Sequence, residues 1–121
     1  MKVLGIRWIG MRTDSYEEMV GLLRDVLGLA VAFEHDATAE FSLANDDRVQ
    51  VFGPGHRYHE LFGAGGGCPV PLFEVDDLQA AHAELVAAGI EVIGEIEQDA
   101  SWQWLNVRGP DGNLFELASR T

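Results

Sequence analysis

At 121 residues the chain has room for one domain without a second independent core, and its 47% hydrophobic and 23% charged residues are ordinary for a globular protein. With 20 acidic against 8 basic residues, the net charge of −12 argues against nucleic acid and would steer cationic ligands, although a solubilising acidic surface is the simpler reading. No apolar run approaches the ~20 residues of a membrane span, no signal-peptide pattern opens the chain, and the lone Cys68 allows no internal disulfide, so a cytoplasmic setting is expected.

The first predicted element is a strand over 4–11, which runs into Thr13-Asp14-Ser15, a cluster of good helix N-caps. A helix over 16–27 follows, with Met19, Leu22, Leu23, Val26 and Leu27 at helical spacing and Gly28 as its stop. Strands over 31–35, 39–43 and 48–52 come next, with Asn45-Asp46-Asp47 as a hairpin turn. A glycine-rich connection over 54–68 carries His56, Tyr58, His59 and Phe62 and reads as a linker or flap; it lacks the Lys of a phosphate-binding loop.

The plan then repeats. A strand begins at Val70, Asp76-Asp77 supply caps, and a helix over 78–88 puts Leu78, Ala81, Leu85 and Val86 on one stripe before Gly89. Strands over 91–96, 102–107 and 114–118 complete the second half. From Trp8 to Gly28 is 20 positions and from Val70 to Gly89 is 19, a near-equality that points to internal duplication. Module one therefore spans about 1–53 and module two about 69–121.

The last hairpin, Pro110-Asp111-Gly112-Asn113-Leu114-Phe115-Glu116-Leu117, puts a carboxylate on a mostly apolar strand, where it is costly without a partner. Together with Asp25-Val26-Leu27-Gly28-Leu29, Phe73-Glu74-Val75-Asp76-Asp77-Leu78 and Ala87-Ala88-Gly89-Ile90, this hairpin resembles the vicinal oxygen chelate superfamily: glyoxalases, bleomycin-resistance proteins and extradiol dioxygenases. The resemblance covers essentially the whole chain. It implies an α+β fold in which two βαβββ modules form a curved mixed sheet with a concave cleft. It also implies that metal-dependent members take one ligand from the first and one from the last strand of each half.

Those positions fall here on Trp8, Gln50, Val70 and Glu116. An indole nitrogen only donates and Val offers nothing, so Glu116 is the one strong ligand type and Gln50 a weak second. No metal cofactor is expected unless His56 and His59, three apart, rebuild a site; the simpler reading makes them exposed loop histidines.

Strand alternation places Leu105 and Val107 toward a helix and Trp102, Trp104 and Asn106 toward the cleft with Glu116, joined by Arg48, Phe52, Glu40, Ser42 and Leu72. The candidate ligand-binding set is Trp8, Gln50, Phe52, His59, Trp102, Trp104 and Glu116, although Trp102 or Trp104 in a core or dimer interface is the plainer alternative. Glu116 is the one candidate catalytic group, open to an ion pair with Arg48 or Arg7, a bond to an indole, a ligand cation, or a role as general base.

The resemblance then implies a metal-free small-molecule binding protein of sequestering type, homodimeric, for a cationic or aromatic ligand. The alternatives are a metal-dependent lyase, isomerase or dioxygenase of glyoxalase type, and a metal-free enzyme using Glu116 as base with His59 as a partner.

Overall fold

The computed structural model describes residues 1–63, 69–109 and 112–121. Cys68, the glycines before it, and Pro110 and Asp111 of the closing turn lie outside the described residues. The chain divides into two compact units, Trp8–Val70 and Met1–Arg7 with Pro71–Thr121. Strand β1 (Val3–Arg12) contributes to both. No helix among the described residues is long and apolar enough to cross a membrane.

In the Trp8–Val70 unit, β1 pairs in parallel with β4 (Arg48–Phe52), bringing Trp8 opposite Arg48, Gly10 opposite Gln50 and Arg12 opposite Phe52. Strand β3 (Thr38–Ser42) runs antiparallel to β4, and β2 (Ala30–His35) antiparallel to β3. Alternation sorts these strands into two faces. Ala39, Phe41 and Val51 bury with Val20 and Leu23 of the helical segment. Thr38, Glu40, Ser42, Arg48, Gln50 and Phe52 share the other face with Trp8, as their registers require.

The first helix departs from the expected form. It is α-helical over α1 (Tyr16–Gly21) and then widens to a π-helical turn over Leu22–Val26, closed by Leu27 N–H donating to Leu22 C=O at 3.0 Å. The wider turn takes residues off the stripe that a regular helix would bury. Val20 and Leu23 are buried, whereas Leu22, Val26 and Leu27 are exposed. Ser15 makes no side-chain cap; instead its N–H donates to Thr13 Oγ1. Gly28 ends the segment at φ +70°, a conformation favouring glycine.

The stretch read as linker or flap contains a helix, α2 (Arg57–Gly63), with Tyr58 and Phe62 buried. These two are one helical turn apart, so both reach the same side. They meet Phe52, with ring centroids 5.3 and 5.4 Å away, and Phe62 also meets Trp8. Helix α2 is thus an element anchored by aromatic packing.

In the other unit, β5 (Val70–Val75) pairs in parallel with β8 (Leu114–Arg120), β8 antiparallel with β7 (Trp102–Arg108), and β7 antiparallel with β6 (Glu91–Gln98). Helix α3 (Leu78–Ala87) begins at Asp77, whose carboxylate accepts from Ala80 N–H at 3.0 Å. Leu78, Ala81 and Leu85 bury against Val75, Leu105, Val107 and Leu117, while Val86, counted in the predicted stripe, is exposed. A register shift between Ile93 and Glu97, with Gly94 at φ +72°, kinks β6.

Candidate functional site

Within the Trp8–Val70 unit lie three of the four positions that the family resemblance gives to metal ligands, Trp8, Gln50 and Val70. Trp8 Nε1 donates to Gln50 Oε1 at 3.1 Å, Gln50 Nε2 donates to Thr38 Oγ1 at 3.0 Å, and Thr38 Oγ1 donates to the Val51 carbonyl at 2.8 Å. Indole N–H can only donate, so it fixes the orientation of the Gln50 amide. Trp8 is 8% exposed and Val70 is 2% exposed. The Trp8 ring lies over Gly10, where any Cβ would collide with it and come within 2.9 Å of Phe62 Cε2. Gly10 is therefore the sequence feature that lets the indole fold flat against its own strand.

That donor set does not fit the metal of the family pattern. The indole is spent on Gln50, the amide oxygen is taken by the indole, and Val70 has no donor atom. Among the described residues no group of three or more His, Cys, Asp or Glu side chains could hold a metal ion.

The two histidines considered for a rebuilt site are both engaged. His56 Nδ1 accepts from Tyr58 N–H at 3.0 Å, and its ring lies 4.8 Å from Phe52. Burial, followed by the Arg57 charge, pushes the His56 pKa below the usual histidine value. His59 Nε2 sits 2.8 Å from Asp14 Oδ1, and Arg12 Nε donates to the His59 carbonyl at 2.9 Å. The His59 contact and the Arg12 charge hold the Asp14 carboxyl below its usual value.

Phe52, a candidate pocket residue, is 1% exposed at the centre of the aromatic cluster. Arg48, of the same face, forms an ion pair with Glu40 at 3.2 Å.

Glu116, the fourth position, belongs to the other unit. Register puts Leu72 and Asn106 on either side of it, Glu74 and Trp104 on either side of Ala118, and Trp102 opposite Arg120. Cross-strand partners share a face, so Glu116, Asn106, Trp104 and Trp102 stand together, opposite to the Leu105–Val107 face that packs on α3. Glu116 is 2% exposed and Asn106 5%, while both tryptophans are half-buried.

Glu74, part of the Phe73–Leu78 motif and absent from the candidate site residues, is buried on this face at 7% exposure. Its Oε2 lies 2.5 Å from Arg7 Nε and its Oε1 lies 3.8 Å from Arg120 Nε. The Arg120 guanidinium in turn lies over Trp102, 4.5 Å from the ring centroid. Parity along β5 and the antiparallel register of β7 on β8 were available signals for both residues.

The family model of the Glyoxalase/Bleomycin resistance protein/Dioxygenase superfamily matches residues 5–117. The chain belongs to this superfamily. No curated protein matches it. Solved structures share the fold. A superfamily member from Vibrio splendidus 12B01 is 21% identical with a TM-score of 0.70, covering 94% of this chain and 98% of that one. Methylmalonyl-CoA epimerase from Mycobacterium tuberculosis is 18% identical with a TM-score of 0.73, covering 98% and 89%. The Mn(II)-bound glyoxalase from Novosphingobium aromaticivorans is 22% identical with a TM-score of 0.74, covering 98% of this chain but only 39% of that one. At these identities the likeness is one of fold, and fold alone does not carry chemistry. Two of the positions that the family resemblance gives to metal ligands, Trp8 and Gln50, are tied to each other and to Thr38 by hydrogen bonds.

Proposed function

We propose that this superfamily member binds a small organic molecule without the divalent metal of its metal-dependent relatives. The observation that supports this reading is the hydrogen-bond chain from Trp8 through Gln50 and Thr38 to Val51, which commits two ligand positions to internal structure. The ligand rests on the β5–β8–β7 face, where half-buried Trp102 and Trp104 offer flat apolar surface beside Glu116 and Asn106. The protein is a homodimer in this reading. Quenching of tryptophan fluorescence by a panel of planar aromatic compounds, with and without chelator, tests it. Saturable quenching unaffected by chelator is the predicted result, and quenching that needs added metal contradicts it.

A second reading is favoured by the burial of Glu116 beside Asn106: Glu116 acts as a base on a bound carbon acid. The epimerase among the similar folds gives this reading its reaction class by analogy. Glu116→Gln separates the two, since binding alone survives the amide and base catalysis does not.

A further inference from the structure

Helix α2 starts on a residue outside the usual N-cap set. His56 C=O accepts from His59 N–H at 3.0 Å, which puts His56 at the N-cap. Its own ring does the capping, since Nδ1 accepts from Tyr58 N–H at 3.0 Å. A backbone N–H can only donate, so Nδ1 is bare and the neutral ring carries its proton on Nε2. Ser, Thr or Asn in that place would accept at any pH. A histidine accepts only while Nδ1 is unprotonated. Once it is protonated, two N–H donors face each other, at a helix end whose dipole already disfavours a cation.

The cap holds the first turn of α2 against Phe52. The His56 ring lies 4.8 Å from the Phe52 ring and the Tyr58 ring 5.3 Å from it. The chain is fixed on either side of this turn. Before it, Gly53 N–H donates to Ala37 C=O at 2.8 Å, and Tyr16 packs so closely that a Cβ on Gly53 would lie 2.8 Å from it. After it, Arg12 Nε donates to His59 C=O at 2.9 Å, and His59 Nε2 meets Asp14 Oδ1 at 2.8 Å. That second contact strengthens when His59 is charged, so acid tightens the middle of α2 while it undoes the start. Between Gly53 and His56 stands Gly55, at φ +97° with open space around it, a pivot for the turn.

The groups packed on the His56 ring are the Phe52 ring from β4 and the Tyr58 ring from α2. Two charges also bear on it: Arg57 of α2 opposes protonation, and Asp36, on the turn between β2 and β3, favours it. Burial outweighs both and keeps the ring neutral, with the cap closed, at neutral pH.

We propose that His56 is a proton-operated latch on helix α2: protonation of Nδ1 releases the first turn, and Tyr58 swings off Phe52 about Gly55 while His59 stays tied to Arg12 and Asp14. The latch is closed at neutral pH and opens in mild acid. It uncovers Phe52, a member of the candidate binding set, without unfolding the strands beneath it. It is independent of the reading of the β5–β8–β7 face.

The test is amide hydrogen exchange followed by NMR on the intact protein, with protection factors compared at about pH 7.5 and about pH 5, on either side of the histidine range. Tyr58 N–H should lose about tenfold or more of its protection in acid, while the amides of β3 and β4 keep theirs. His56→Asn, which caps without titrating, should keep Tyr58 protected at both pH values, and His56→Ala should leave it unprotected at both. Arg57→Gln should move the opening to higher pH and Asp36→Asn to lower pH, shifts that a purely structural cap would not show. Equal Tyr58 protection at both pH values in the wild type would overturn the latch, and that result needs no variant to fold. The same acid loss in His56→Asn would overturn it as well. Loss across β3 and β4 together with Tyr58 would overturn it in favour of general unfolding.

Discussion

Trp8 and Gln50 are joined side chain to side chain, indole Nε1 to amide Oε1 at 3.1 Å, at two positions where the family resemblance puts metal ligands. The bond turns a pair of would-be coordination sites into a piece of the interior. It also fixes the far end of the amide, whose N–H then reaches Thr38. Removing Gln50 would strand the nearly buried indole N–H. Gln50→Ala should therefore cost about 1–3 kcal/mol in urea unfolding, the usual penalty for a buried polar group left unsatisfied. An unchanged midpoint would mean that the bond contributes nothing net.

Gly10 makes the Trp8 position possible. Gly10→Ala puts a methyl into the indole and within 2.9 Å of Phe62. Overpacking of that kind costs about 1–3 kcal/mol, and here it should appear as a lower Tm together with a red-shifted Trp8 emission. The same substitution in a Trp8→Leu background should be milder, because the ring that collides is gone. Equal costs in both backgrounds would refute the contact.

Much of this arrangement was legible in the amino-acid pattern, and the reason for the rest is specific. Strand β4 and helix α3 were readable because Arg48–Phe52 alternates and because Asp77 caps a run with Leu78, Ala81 and Leu85 at helical spacing. Alternation also placed Trp8, Gln50 and Phe52 on one face. What it cannot supply is what covers a face. Helix α2 does so, through Tyr58 and Phe62, and its glycine-rich flanks hid a two-residue apolar anchor in what read as a linker. The π-helical turn was equally invisible, since the 3.6-residue period assumes a regular helix; Leu22, Val26 and Leu27 went to the surface as a result. Arg120 needed the β7–β8 register, which follows only once the closing hairpin is built.

His56 gives the protein a pH dependence near neutrality. Burial lowers its folded-state pKa below the usual 6.5, so the unfolded chain takes up the proton first as pH falls. The stability is thus complete above pH 6.5 and declines from there through the lowered folded value. In an NMR titration the His56 ring should titrate below 6.5, and His56→Gln should flatten the decline in unfolding free energy over that interval. A His56 midpoint at or above 6.5 would contradict the burial seen at Phe52.

Asp14 acts in a more acidic window. Its folded pKa is depressed by His59 and Arg12, so the stability it contributes is present above 3.8 and is lost as pH falls through the lower folded value. Asp14→Asn should remove that acid-dependent part and loosen the tie between α2 and the end of β1. Acid unfolding curves of wild type and variant that differ by a constant offset would speak against it.

Edge strand β2 bears on the proposed dimer. All six of its residues are exposed, Val31 and Phe33 at 43% and 44% among them. An apolar edge of this kind invites pairing with a second copy. Sedimentation velocity should find a dimer for the wild type and a monomer for Phe33→Lys. A dimer that survives the substitution would place the contact elsewhere.

The most direct test of the central claim is the metal content of untagged protein, purified without refolding and dialysed against nickel, zinc, manganese and iron(II), then measured by mass spectrometry. The Trp8–Gln50–Thr38 chain predicts less than about a tenth of an equivalent of each metal per chain, since three strong ligands are not assembled among the described residues. About one equivalent, lost on Glu116→Ala, would contradict the account and return the protein to metal-dependent chemistry.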